Sequence, residues 1–214
     1  MPPIIPTLVT PPADVFTEPN NVDPDTLANL GPLRPLAGRW SARKGVDLNP
    51  KADGAERRVF MGTIDFQLLY GLRYHIHVTT EEDDITFHEQ VGYWLWEPAT
   101  GLVMQTIAIP RGQVALASGQ AEPNATEITI SATRGPTDYG ICSTSFLEQA
   151  FRIDSYRITI TFHTDGSWSY VTNTELMVQG RNASFAHQDC NTLHRVGDAK
   201  PNPLAAVLAK RKAL

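Results

Sequence analysis

Two imidazoles near the C-terminus are the side chains of this sequence best placed to bind a ligand. His187 and His194 lie in the run Phe185-Ala186-His187-Gln188-Asp189-Cys190-Asn191-Thr192-Leu193-His194-Arg195-Val196, which reads as a last β-strand with an imidazole towards each end. A neutral imidazole is the commonest side-chain ligand to a metal such as iron or zinc, and its second nitrogen can hydrogen-bond a neighbour at the same time. Residues an odd number of positions apart on a regular strand point to opposite faces, so only one of the two can face a barrel interior. His75 and His77 share a face of an earlier strand and could form a pocket wall or a metal pair, or lie on an exposed alternating face. No third ligand follows them at a zinc-like spacing, so a zinc centre is set aside. His88 is read as ordering strand contacts, and His163, beside Thr164-Asp165-Gly166, as sitting at a hairpin tip.

Other chemistries find little support. Gly-x-Ser-x-Gly is absent, Ser143 and Ser145 beside Cys142 have no base near them in sequence, and no phosphate-cradling loop occurs. The 214 residues carry a formal net charge of −5 from interspersed acids and bases, which leaves no basic stripe for nucleic acid. A hydrophobic content of 42% is enough for a sizeable core. No stretch approaches the roughly 18 apolar residues of a spanning helix, and the Pro-rich start lacks the basic and apolar regions of a signal peptide. The expectation is a cytoplasmic protein with neither membrane nor nucleic-acid partner. Cys142 and Cys190 are expected to be unpaired and buried.

The elements that must position these side chains are mostly strands. Arg58-Val59-Phe60-Met61, Leu72 to Val78, Glu127 to Ser131 and Tyr156 to Phe162 alternate with a period of two and are rich in β-branched residues. Turn signals separate them: Glu81-Glu82-Asp83-Asp84, Pro98-Ala99-Thr100-Gly101, Glu122-Pro123-Asn124 and Thr164-Asp165-Gly166-Ser167. The spacing predicts an all-β fold, an antiparallel up-and-down barrel of about ten strands with short peripheral helices. Residues 1–30 read as a Pro-rich arm, 31–197 as the barrel, and 198–214 as a tail with a short helix. Helical turns are expected at Asp23 to Leu30, at Asp65 to Tyr70, and at Asn202 to Lys212, whose apolar face needs a dock on its own barrel or on a second copy in a homodimer. Trp94 and Trp96 alternate with Tyr93 and Leu95, so one pair packs inside the barrel.

Gly38-Arg39-Trp40 opens the first strand, where an indole can plug the closed end of a small barrel. His88-Glu89-Gln90-Val91-Gly92-Tyr93, then Ala108-Ile109-Pro110-Arg111-Gly112, and finally Leu193-His194-Arg195 follow in order. Together these motifs resemble the nitrobindin family, haem-binding barrels related in shape to lipocalins and fatty-acid-binding proteins, over roughly Leu36 to Val196. Ala42 and Lys44 stand where the family carries glycines, Gln90 where it carries Glu, and Ala115 where an acid is common, while Gly119 fits a later family glycine.

The resemblance implies a haem b held by one axial histidine. In the family this ligand lies about five residues before the closing Leu, a count that lands on Gln188, one position beyond His187. His187 is the favoured axial ligand and His194 the alternative, and an inward His187 calls for a bulge at Ala186 to Gln188. His75, His77, Trp40 and the Pro110-Arg111-Gly112 turn are the further cofactor-binding candidates, with Arg111 suited to a haem propionate or a bound anion. The activity implied is nitric oxide binding by ferrous haem and isomerisation of peroxynitrite to nitrate by ferric haem. Two other functions stay open: a haem-free carrier or sensor of a small apolar ligand such as a fatty acid, and an enzyme with His75 or His77 as general base.

Overall fold

Alternation with a period of two governs the chain from Arg39 to Gly197 and folds it into eleven strands. The structure is a computed structural model that describes residues 26–203 except 52–53, 70 and 82–84, together with residues 205, 207 and 210. The strands are β1 (Arg39–Lys51), β2 (Gly54–Leu68), β3 (Leu72–Thr80), β4 (Thr86–Glu97), β5 (Leu102–Ile109), β6 (Gln113–Gln120), β7 (Glu127–Arg134), β8 (Gly140–Ser143), β9 (Phe151–Phe162), β10 (Trp168–Val178) and β11 (Phe185–Gly197). They close in the order β1-β11-β10-β9-β7-β8-β6-β5-β4-β3-β2. Neighbours pair antiparallel except β7 and β8, whose short parallel contact makes the barrel mixed rather than purely up-and-down. A single turn of helix, α1 (Ser145–Ala150), precedes β9.

One end is sealed by a 3₁₀ segment, Ala28–Leu36, whose Leu30, Leu33 and Leu36 are buried. Trp40 is 1% exposed, donates its indole N–H to Leu36 O at 2.8 Å, and meets Trp168 edge to face at 5.9 Å. The Arg195 guanidinium covers the outer side of its ring at 4.5 Å, a cation–π contact that also shields the plug from water. From the notional arm, residues 26–30 join this seal, while 1–25, with the start of the expected first helix, lie outside the described residues. Positions 203, 205, 207 and 210 are helical, and Lys200 ties the tail to β2 through an ion pair to Asp65 at 2.9 Å.

Two expectations change. Helical turns do not form from Asp65, because β2 runs on to Leu68 with Phe60, Ile64 and Phe66 buried on alternate positions. Cys142 and Cys190 are both free, but neither is buried: short β8 presents Ile141 to the interior and turns Cys142 out, and Cys190 is half-buried on β11. Trp94 is the buried indole of the β4 pair, and Tyr93 lies outside at 43% exposure.

Candidate functional site

The interior between the plug and the opposite end encloses a cavity of about 500 Å³, within the usual range for a small-molecule site. Its floor and walls are apolar, formed by Ile64, Phe66, Trp94, Ile107, Ile158 and Ile160 among others. Trp168 forms part of this lining, and its indole N–H is buried without a hydrogen-bond acceptor among the described residues. Tyr74 is the hub of a buried polar network. Its hydroxyl donates to Thr106 O at 3.0 Å and accepts from Gln90 at 2.7 Å and Gln105 at 3.1 Å, while Tyr156 donates to Gln105 Oε1 at 3.1 Å. Burial pushes both phenols above their ordinary range, so they act as neutral hydrogen-bonding groups.

A second polar group is built by β11, β10 and β1. On β11 the inward positions are His187, Asp189, Asn191 and Leu193, so the imidazole faces the cavity without any bulge between it and Leu193. Pairing with β10 runs unbroken from Trp168↔Leu193 to Leu176↔Phe185, and the bulge expected at Ala186 to Gln188 is not there. Leu193 and His187 lie an even number of positions apart, which is enough to place them on one face. The irregularity lies in β1 instead. Ser41 pairs with His194 and Val46 with Cys190, so β1 carries one extra residue at Arg43–Lys44, both exposed. Before the bulge Trp40 and Ala42 point inward; after it Gly45, Asp47 and Asn49 do. Gly45 is required here, because a Cβ would stand 2.3 Å from the Phe60 ring.

This shift brings Asp47 Oδ1 to 2.7 Å from His187 Nε2. Asp47 also accepts from the Asn49 amide, and Asp189 accepts from the Thr172 hydroxyl and from Tyr170. Burial alone would pull the His187 ring below the ordinary imidazole range. The hydrogen bond to Asp47 and the charges of Asp47 and Asp189 outweigh it, and the ring is held above that range. Asp189 is pushed up by burial, against the donors that favour its charge. His88 lines the same cavity from β4 and is pushed down by burial, only partly offset by Asp189. It also shares a hydrogen bond with Gln90, two positions on along the same face of β4.

The other candidate residues divide by face. Pro110 and Arg111 line the cavity, and Gly112 forms the adjoining turn with φ of +83°. His75 and His77 alternate with inward Tyr74, Ile76 and Val78 and therefore sit on the outer face, where their rings stack with centroids 6.4 Å apart. His75 stands 3.5 Å from Glu89, and His77 bonds the Thr86 hydroxyl at 2.7 Å. His194 pairs with Ser41 on the exposed side of β11, and Trp40 lies beneath the cavity in the plug. A pocket wall built from His75 and His77 is thus corrected by the alternation of β3 itself. Asp47, Asp189 and Thr172 were missed by sequence reasoning. The available signal was two adjacent long cations followed by glycine inside a strand, Arg43-Lys44-Gly45, a pattern that marks a bulge.

Among the described residues no group of three or more His, Cys, Asp or Glu side chains is arranged to hold a bare metal ion. A haem brings four nitrogen donors of its own and needs one from the protein, which an inward imidazole steadied by a carboxylate can supply. The residues present therefore fit that group. No curated relative matches the chain by sequence. The crystal structure of Rv2717c from M. tuberculosis is similar in fold, with a TM-score of 0.61 at 20% identity over 80% of this chain and 97% of that one. A family model described as a THAP4-like, heme-binding beta-barrel domain matches residues 29–195. The chain belongs to this haem-binding β-barrel family, the nitrobindin family to which its motifs pointed.

Proposed function

We propose that the cavity seats a haem b with His187 as its one axial protein ligand, and that the protein binds nitric oxide and isomerises peroxynitrite to nitrate. The observation that carries this reading is the inward His187 imidazole, hydrogen-bonded at 2.7 Å to buried Asp47 in a cavity of about 500 Å³. When bound, haem iron supplies a Lewis-acidic, one-electron centre for a diatomic or a peroxide. The chain's own part is to orient the imidazole through Asp47, to surround the macrocycle with Phe66, Ile107 and Ile158, and to offer Arg111 to a propionate or an incoming anion. His88, pushed towards its neutral form by burial, can hydrogen-bond a bound ligand without adding charge.

Hemin added to the purified full chain should give a Soret band that is lost in His187→Ala and kept in His194→Ala. Absence of any Soret band after hemin addition would sink the reading. A haem-free carrier is the second reading, and the cavity restricts its cargo. Asp47 and Asp189 line the space, so a fatty-acid carboxylate would meet like charge there, and a neutral or cationic molecule suits it better.

A further inference from the structure

Asp47 faces the cavity only because the backbone of β1 is irregular. If the same residues ran through as a regular strand with no bulge, continuation of the Trp40 and Ala42 face would present Lys44, Val46 and Leu48 to the interior and turn Asp47 to the outside. The bulge thus replaces Lys44, Val46 and Leu48 on the inner face with Gly45, Asp47 and Asn49, and the carboxylate and the amide both line the cavity. Asp47 is 6% exposed, and a buried carboxylate is a liability unless its oxygens are occupied. Both of its partners are in place: the His187 ring at 2.7 Å and the Asn49 amide. Asp189, two positions from His187 on the same strand, is engaged by Thr172 and Tyr170. The bulge keeps the Lys44 cation out of the lumen and in the same step delivers the Asp47 carboxylate to the imidazole. A ring N–H given to a carboxylate fixes the tautomer, leaving the lone pair on the opposite nitrogen and making it more basic.

We propose that Asp47 is the positioning residue of the axial imidazole: it holds the His187 ring and strengthens the opposite nitrogen as a donor to haem iron. The proposal rests on the haem reading of the cavity. A more electron-rich axial nitrogen favours ferric over ferrous iron, so the carboxylate lowers the reduction potential and tightens retention of ferric haem.

The test compares the wild-type full chain with Asp47→Asn, Asp47→Ser and Asp47→Glu, each loaded with hemin, and records ¹⁵N shifts of the His187 ring in the hemin-free proteins. Asp47→Asn is expected to keep the Soret band, raise the midpoint potential, lower the iron–histidine stretching frequency and bind hemin about 10- to 100-fold more weakly. Asp47→Ser repeats the removal with a smaller side chain, and Asp47→Glu, which restores the charge, should move the potential and the stretch back towards wild type. A loaded Asp47→Asn protein with wild-type potential and stretch overturns the proposal, as does a failure of Asp47→Glu to differ from it. If the wild type takes up no hemin, the haem reading fails, and the ¹⁵N shifts then decide the positioning role. A single tautomer in wild type that is lost in Asp47→Asn supports it, and identical shifts overturn it.

Discussion

At the end of the barrel closed by Ala28–Leu36, Trp40 and Trp168 meet edge to face while Leu33 and Leu36 are wholly buried; towards the other end the inner surface is made by His187, Asp47, Asp189 and Thr172. The same two strands, β1 and β11, build both regions. At the plug they contribute Trp40 and Leu193, which gain stability by leaving water. A few residues away they contribute an imidazole and two carboxylates, whose desolvation opposes folding and is tolerated because each has a partner. On the proposed haem reading, the difference separates residues held for stability from residues held for chemistry within a single pair of strands.

Four outcomes would sharpen or break that separation. Trp40→Ala should be the largest, destabilising the protein by about 3–5 kcal/mol in urea unfolding, because it opens a cavity in the packed plug. The double replacement Asp47→Leu with His187→Leu should go the other way and stabilise by about 1–2 kcal/mol while abolishing hemin uptake, since an ion pair in an apolar surround is often improved upon by hydrophobic groups. A loss of stability in that variant would show that the polar end also serves the fold.

The third outcome concerns pH in the hemin-free protein, where the two cavity imidazoles have opposite signs. His187 is held above its ordinary 6.5, so its contribution is complete below that pH and is lost as pH rises through the folded value. His88 is held below 6.5, so the protein loses stability as pH falls from 6.5 through the folded value. Wild type shows the difference of the two slopes. His187→Ala should unmask a stability that rises with pH, and His88→Gln one that falls with it; parallel curves in both variants would break the assignment. The smallest effect is expected from His75→Ala and His77→Ala on the outer face, within about 0.5 kcal/mol in stability and with no change in the Soret band.

Much of this arrangement was legible in the sequence and some was not. Period-two runs and turn clusters gave the barrel, and the Gly38 and Trp40 pair placed the plug. The inward direction of His187 was also available, since it shares strand parity with Leu193, a residue that alternation assigns to the core; comparison with the family's spacing obscured it. His75 and His77 were placed on one face correctly, but nothing in a two-residue spacing says which face, and it was Tyr74, Ile76 and Val78 that took the interior. Asp47 could not be reached by alternation at all, because alternation restarts after a bulge. Asp65 to Tyr70 misled for a related reason: a few residues of helix-compatible pattern do not outweigh a long strand with partners on both sides.

The bulge at Arg43–Lys44 makes β1 comparable to a message read in two frames. Upstream, even-numbered residues are translated into core; downstream, odd-numbered residues are translated into cavity wall. Deleting Arg43 or Lys44 would remove the bulge and leave a regular strand in which Ala42, Gly45, Asp47 and Asn49 still share the inner face. Deleting Val46 instead would turn Asp47 out to solvent and bring Leu48 into the lumen, leaving the plug's wording untouched.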